Sequence, residues 1–211
     1  MKRTSVWVWP GVLGMALAVV SGCTSKVLMP PKISLRTYNT IGMIQFSSNA
    51  EGNLPQFVSQ KFLQTLQSSQ PGVRVLELGD EDKVLQTIEH RELDPAAIRA
   101  IGRHYGVNAV IFGRFEVSEV KPKVKLSSVL TSMSVQADVD AALSARLLET
   151  DSGATLWTNA VRGKQTVGHV ALGSNGNIFF GAQDPEDAYG RLVEWLVGRA
   201  TRDFRPYYAK K

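Results

Sequence analysis

Residues 129–147 read VLTSMSVQADVDAALSARL. The odd positions carry Val129, Thr131, Met133, Val135, Ala137, Val139, Ala141, Leu143, Ala145 and Leu147. The even positions include Ser132, Ser134, Gln136, Asp138, Asp140, Ser144 and Arg146. Alternation with period two is the side-chain spacing of a strand with one apolar and one polar face. A run this long exceeds the usual strand of about five or six residues. A bend or bulge is expected in it, or an end that projects beyond the sheet. Asp151-Ser152-Gly153 turns the chain, and Thr155–Val161 is predicted to pair antiparallel with the long strand.

Working back from this hairpin, three shorter apolar runs alternate with helical patterns. Thr40–Phe46 and Val73–Leu78 read as strands, and so does the run from Asn108 to Val117. Between the first two, Phe57, Val58, Phe62, Leu63 and Leu66 recur at helical spacing after Pro55. A proline in the first turn is harmless there, because its missing N–H would have had no partner. Between the second and third, Asp80 and Asp94 are predicted caps of two helices. Val84, Leu85 and Ile88 mark the first of these, and Ile98, Ile101 and Tyr105 the second. Gly106 is the expected stop. The order β-α-β-α-α-β favours parallel strands joined by crossovers. The predicted class is α/β: a mixed sheet of about five strands, with a parallel βαβ start, a long antiparallel hairpin and helices packed on it.

Downstream, Val167–Leu172 and Ile178–Phe180 flank Gly173-Ser174-Asn175-Gly176-Asn177, which reads as a small hairpin or a loop. Asp184-Pro185 opens a last helix with Leu192, Val193, Leu196 and Ala200 inward. Trp157 and Trp195 are expected in the core.

At the amino terminus, Lys2 and Arg3 precede an apolar stretch from Val6 to Val20, broken by Pro10 and Gly11. Small residues and Cys23 follow. This is the layout of a secretory signal, and its unbroken apolar core is too short for a spanning helix of ~20 residues. Val20-Ser21-Gly22-Cys23 resembles a bacterial lipobox, in which the cysteine is lipidated and becomes the first mature residue. The alternative is an ordinary signal with a chance cysteine. Acyl chains such as palmitate add about 0.8 kcal/mol per buried methylene, and two or more make a stable anchor. Thr24, not an aspartate, favours the outer membrane. The organisation expected is a signal at 1–22, a lipidated cysteine and flexible tether at 23–38, one domain at 39–205 and a tail at 206–211. Cys23 is the only cysteine among 211 residues, so once acylated it leaves no thiol for a disulfide, metal site or nucleophile. Without residues 1–22 the chain has 22 basic against 19 acidic residues, a formal charge of +3. That balance does not call for nucleic acid.

Catalytic patterns are not legible. His90, His104 and His169 fall on separate predicted elements, and no phosphate loop, dinucleotide fingerprint or nucleophile elbow follows a strand. Asp138 and Asp140 read as a solvated polar face. The chain is expected to be no enzyme and to bind no metal or cofactor beyond lipid on Cys23. Candidate partner contacts are Lys121, Lys123 and Lys125, in a turn or lysine-guarded edge, with Ile178, Phe179 and Phe180 as an apolar anchor.

The pattern from Ile41 to Phe204 resembles a superfamily of envelope lipoproteins. It includes the curli-secretion channel lipoprotein CsgG, the LpoB-type activators of penicillin-binding proteins and the amino-terminal domain of TolB. The resemblance rests on the Leu54–Leu66 helix, the run Tyr105–Gly113, the run Ala142–Gly153 and the final helix. It implies a lipid-anchored α/β domain on the periplasmic face of the outer membrane, without a catalytic site. The function expected is a non-enzymatic accessory or scaffold in envelope assembly or secretion, meeting an envelope protein or another copy of itself. The alternative is a subunit of an oligomeric secretion channel, with residues 129–137 lining a barrel wall. A spanning strand needs about 9–11 residues.

Overall fold

The computed structural model describes residues 26–50, 53–118, 121–123, 136–167, 170–172, 178–180 and 185–210. In chain order it holds β1 (Lys26–Met29), β2 (Ile41–Ile44), β3 (Ser47–Ser48), α1 (Leu54–Ser69) and β4 (Val75–Gly79). Then come α2 (Glu81–Thr87), α3 (Pro95–Tyr105), β5 (Ala109–Val117), β6 (Lys121–Lys123) and β7 (Gln136–Glu149). The rest is β8 (Thr155–Val167), β9 (Val170–Leu172), β10 (Ile178–Phe180), α4 (Pro185–Ala200) and β11 (Tyr207–Lys210).

The apolar run of β2 puts it at the centre of the parallel half. All four of its residues are buried, and it pairs in parallel with β4 on one side and β5 on the other. β4 is an edge, so Leu76 and Glu77 stay exposed although the run looks like a strand buried on both faces. The crossovers form where the capping chemistry requires them. Asp80 accepts from the Lys83 N–H and Asp94 from the Ala97 N–H, each filling an orphan donor of a first turn. Gly106 ends α3 at φ 66°, in the left-handed region where a side chain costs energy.

The antiparallel half is built on β7. β5 lies along Ala141–Glu149, and β6 continues that side along Gln136–Asp138. β8 covers the other side from Ala137 to Leu148. The main sheet therefore runs β4-β2-β5-β7-β8. From Val139 onward the expected alternation holds: Val139, Ala141, Leu143, Ala145 and Leu147 are buried, while Asp140, Ser144 and Arg146 are exposed. A register shift falls between Leu147 and Leu148. Leu147 joins the core on one face of the sheet and Leu148 the core on the other. Residues 129–135, at the start of the alternation, lie outside the described residues.

Both faces are covered. α1 and α4 pack with Phe46, Phe62, Phe115 and Leu143 on one face. α2 and α3 supply Val84, Ile98 and Ile101 against Ile44, Val110 and Leu148 on the other. Trp157 packs edge-on to Phe204, with ring centroids 4.6 Å apart. Its indole N–H donates to Asp203 at 3.2 Å.

Two stretches differ from their sequence reading. The flexible tether expected over 23–38 is structured from Lys26 onward. β1 pairs with β11, Leu35 is fully buried, and the Ile33 N–H donates to the Asp203 carbonyl at 3.1 Å. The tail expected at 206–211 supplies β11. Pro30-Pro31 suggested a spacer because the partners that order this stretch lie at the far end of the chain.

Candidate partner-binding surface

β5 ends in a backbone clasp. The Asn49 side chain donates to the Val117 carbonyl and accepts from the Val117 N–H, both at 2.8 Å. An amide side chain thus takes the place of a neighbouring strand where β3 stops. Next to it the Ser118 N–H donates to the Asp140 carbonyl at 2.8 Å, and the Asp140 N–H donates to Ser118 Oγ at 3.2 Å. These bonds hold the end of β5 against β7 and leave a cleft across the sheet.

The cleft has a volume of about 590 Å³. Its lining includes the small or apolar residues Val117, Ala141, Ala142 and Gly163, of which Ala141 turns its side chain into the core. Its charged lining residues are Glu116 and Asp140 from β5 and β7, and Arg162 and Lys164 from β8. Small residues beside charges of both signs suit a polypeptide segment carrying its own mixed charges. Gly163 has a second task. A Cβ there would meet Trp195 Cζ3 at 2.5 Å, so only glycine lets the indole approach β8 this closely. Trp195 was expected in the core, and the structure corrects this: the residue is 44% exposed, with the Arg199 guanidinium 5.0 Å from its ring centroid. It flanks the buried stripe of α4, in contact with Gly163 and beside a cation.

The residues anticipated as contacts fall on two separate pieces. Lys121 and Lys123 lie on β6, where Lys121 pairs across from Asp138, two positions before the cleft residue Asp140. Ile178, Phe179 and Phe180 form β10, which pairs only with β9 among the described strands. Strand pairing therefore brings the lysine edge to the cleft but does not bring β10 there. Lys125, the lipobox residues Val20, Ser21 and Gly22, and Cys23 lie outside the described residues. So does His169. His90 follows α2, His104 lies on α3, and neither lines the cleft. Among the described residues no group of three His, Cys, Asp or Glu side chains is placed to hold a metal. No described helix is long and apolar enough to cross a membrane.

The sequence reading missed the ribbon of β1 and β11. Leu28 pairs with Tyr208, and Met29 with Tyr207. Leu28 is 58% and Tyr208 69% exposed, and Val27, Met29 and Tyr207 are exposed as well. One signal was available. Both are tetrads bounded by proline, Lys26–Met29 before Pro30 and Tyr207–Lys210 after Pro206.

No protein-family model matches the chain, and no curated protein sequence does. Several solved structures are similar in outline. The PelC dodecamer from Paraburkholderia phytofirmans superposes with a TM-score of 0.46 at 11% identity, covering 86% of this chain and 96% of that one. Lipoprotein GNA1162 from Neisseria meningitidis gives a TM-score of 0.38 at 17% identity, covering 76% and 96%. The LpoB C-terminal domain from Salmonella enterica gives 0.37 at 11%, covering 60% and 83%. Overlaps this loose do not decide a function, so the site is read from its own residues.

Proposed function

We propose that this chain is a lipoprotein anchored through Cys23 in the outer membrane and facing the periplasm. There it serves as a non-enzymatic accessory or scaffold in envelope assembly or secretion. The observation that carries the reading is Val20-Ser21-Gly22-Cys23, placed after a short basic and apolar signal. It supports acylation of Cys23 as the covalent lipid and export as the route. The cleft between β5, β7 and β8 supports the second half of the reading. Its lining sets small residues beside charges of both signs, a surface suited to a protein partner.

Two experiments test this. Metabolic labelling with an alkyne palmitate, followed by membrane fractionation, should place the label on the wild-type chain and the chain in the outer membrane. Cys23→Ala should lose the label. A labelled Cys23→Ala chain, or an unlabelled wild type, would sink the anchor. Photo-crosslinkers at position 162 and at the distant turn position 152 should differ, with an envelope protein captured from 162 alone. Equal capture from both would remove the cleft from the reading. A ring of copies crosslinked through position 162 would replace the accessory with an oligomeric assembly.

A further inference from the structure

Two-stranded ribbons are marginal in water unless something covers them. The ribbon of β1 and β11 carries exposed apolar side chains on both of its faces. Residues directly opposite each other in an antiparallel pair share a face. One face therefore carries Leu28 and Tyr208 beside the Lys26–Lys210 pair, and the other carries Val27, Met29, Tyr207 and Ala209. The large side chains of both faces are exposed, so the domain packs fully against neither. Three further facts limit what the cover can be. β1 starts three positions after Cys23, and three extended residues reach at most about 11 Å. The outer end of the ribbon is basic, with Lys26 opposite Lys210 and Lys211 next in the chain. Its apolar content is aliphatic residues with tyrosines, whose rings favour the boundary between hydrocarbon and water.

We propose that the ribbon of β1 and β11 is a membrane-interface paddle. Leu28 and Tyr208 enter the headgroup region of an anionic bilayer, and the basic tip of the ribbon at Lys26 meets lipid phosphates. The proposal rests on acylation of Cys23 for its proximity to lipid, and on the exposed pairs of the ribbon for its chemistry. The paddle turns a flexible attachment into an oriented one. Two neighbouring points then meet the bilayer, so the domain is held at a set tilt and presents its cleft in one direction.

The test uses the full acylated chain in phosphatidylethanolamine–phosphatidylglycerol vesicles containing a nitroxide lipid. An environment-sensitive dye is attached through Tyr208→Cys or, as a control, through Glu89→Cys in the turn after α2. Interfacial segments sit about 5–10 Å into the headgroup boundary, so quenching at 208 should exceed that at 89 by about threefold or more. The excess should shrink in vesicles without phosphatidylglycerol. Equal quenching at the two positions overturns the proposal. So does a 208-to-208 crosslink with no quenching, which makes a second copy the cover. Mass spectrometry of Cys23 reads the anchor separately. A chain without acyl groups that still floats with the vesicles and is quenched at 208 removes the anchor and keeps the paddle. A chain that carries no acyl group and does not float overturns both. The double variant Leu28→Ser, Tyr208→Ser tests whether the ribbon acts by its chemistry. It should keep the wild-type melting temperature, and a dye at Ala209→Cys should lose its quenching. Retained quenching in that variant overturns the proposal.

Discussion

The backbone N–H of Leu35 donates to the buried Oε1 of Gln70 at 2.7 Å. The Nε2 of the same side chain donates to the carbonyls of Ile33 at 2.7 Å and Phe204 at 3.0 Å. One amide at the end of α1 therefore ties the segment before β2 to the segment after α4. Gln70→Leu leaves one donor and two acceptors without partners in a buried place. A loss of about 3 kcal/mol is expected, roughly 10 °C in melting temperature for a chain of this size. Gln60→Leu, exposed on the same helix, should stay within about 0.5 kcal/mol of wild type. Thermal denaturation of both checks the contrast.

Asp203 gives the fold an acid limit. Burial pushes its carboxyl up, but the Trp157 indole, the Lys32 ammonium at 3.2 Å and Arg202 together outweigh this and hold it below the usual carboxylate range. A depressed folded pKa stabilises above the unfolded value of about 3.9 and is lost as pH falls through the folded value. Asp203→Asn should be less stable than wild type at neutral pH, and the gap should close as pH drops below about 4. Melting temperature followed against pH reads this directly. A gap that is constant with pH would show that the carboxylate charge is not what Trp157 and Lys32 hold.

The α3 cap is local and should behave so. Asp94 accepts from the Ala97 N–H at 2.7 Å, directly before Pro95. Asp94→Ala should cost about 1 kcal/mol, and Asp94→Asn only a few tenths. Urea denaturation with an unchanged slope for both variants would confirm that only stability has moved.

Gly163 and Trp195 form a matched pair. Gly163→Val has to lift the indole from β8, and overpacking of this kind costs about 1–3 kcal/mol. Trp195→Ala in the same chain should recover much of that loss, giving a coupling of at least about 0.5 kcal/mol in a double-mutant cycle. Additive effects would mean that the contact does not constrain either residue.

Elements whose signals are local were legible. The caps at Asp80 and Asp94, the stop at Gly106 and the alternation from Val139 to Leu147 each depend on residues a few positions apart. Their physical causes operate over that same range. The β1 and β11 ribbon was not legible, because its two strands lie at opposite ends of the chain and each tetrad alone is too short to mark a strand. Trp195 misled for a different reason. Its size suggests burial, but its position on the flank of the α4 stripe, over Gly163 and under Arg199, leaves it half exposed. The cleft was half legible. The lysines of β6 fall beside β7 without lining the cleft, while Arg162 and Asp140 come together only when β7 and β8 pair.

The antiparallel ribbon also decides where tension goes. β1 enters the domain at Met29, and β11 leaves it at Tyr207, so the tip is formed by Lys26 and Lys210. A pull on the chain before Lys26 travels down β1 and needs no bond to β11 to transmit it. The load arrives at Ile33 and Leu35, whose bonds to Asp203 and Gln70 stand between the strain and the core. Under force this fold should therefore yield first at the Gln70 clasp, while the seam between β5 and β7 stays closed. The cleft would keep its shape while the domain is tugged.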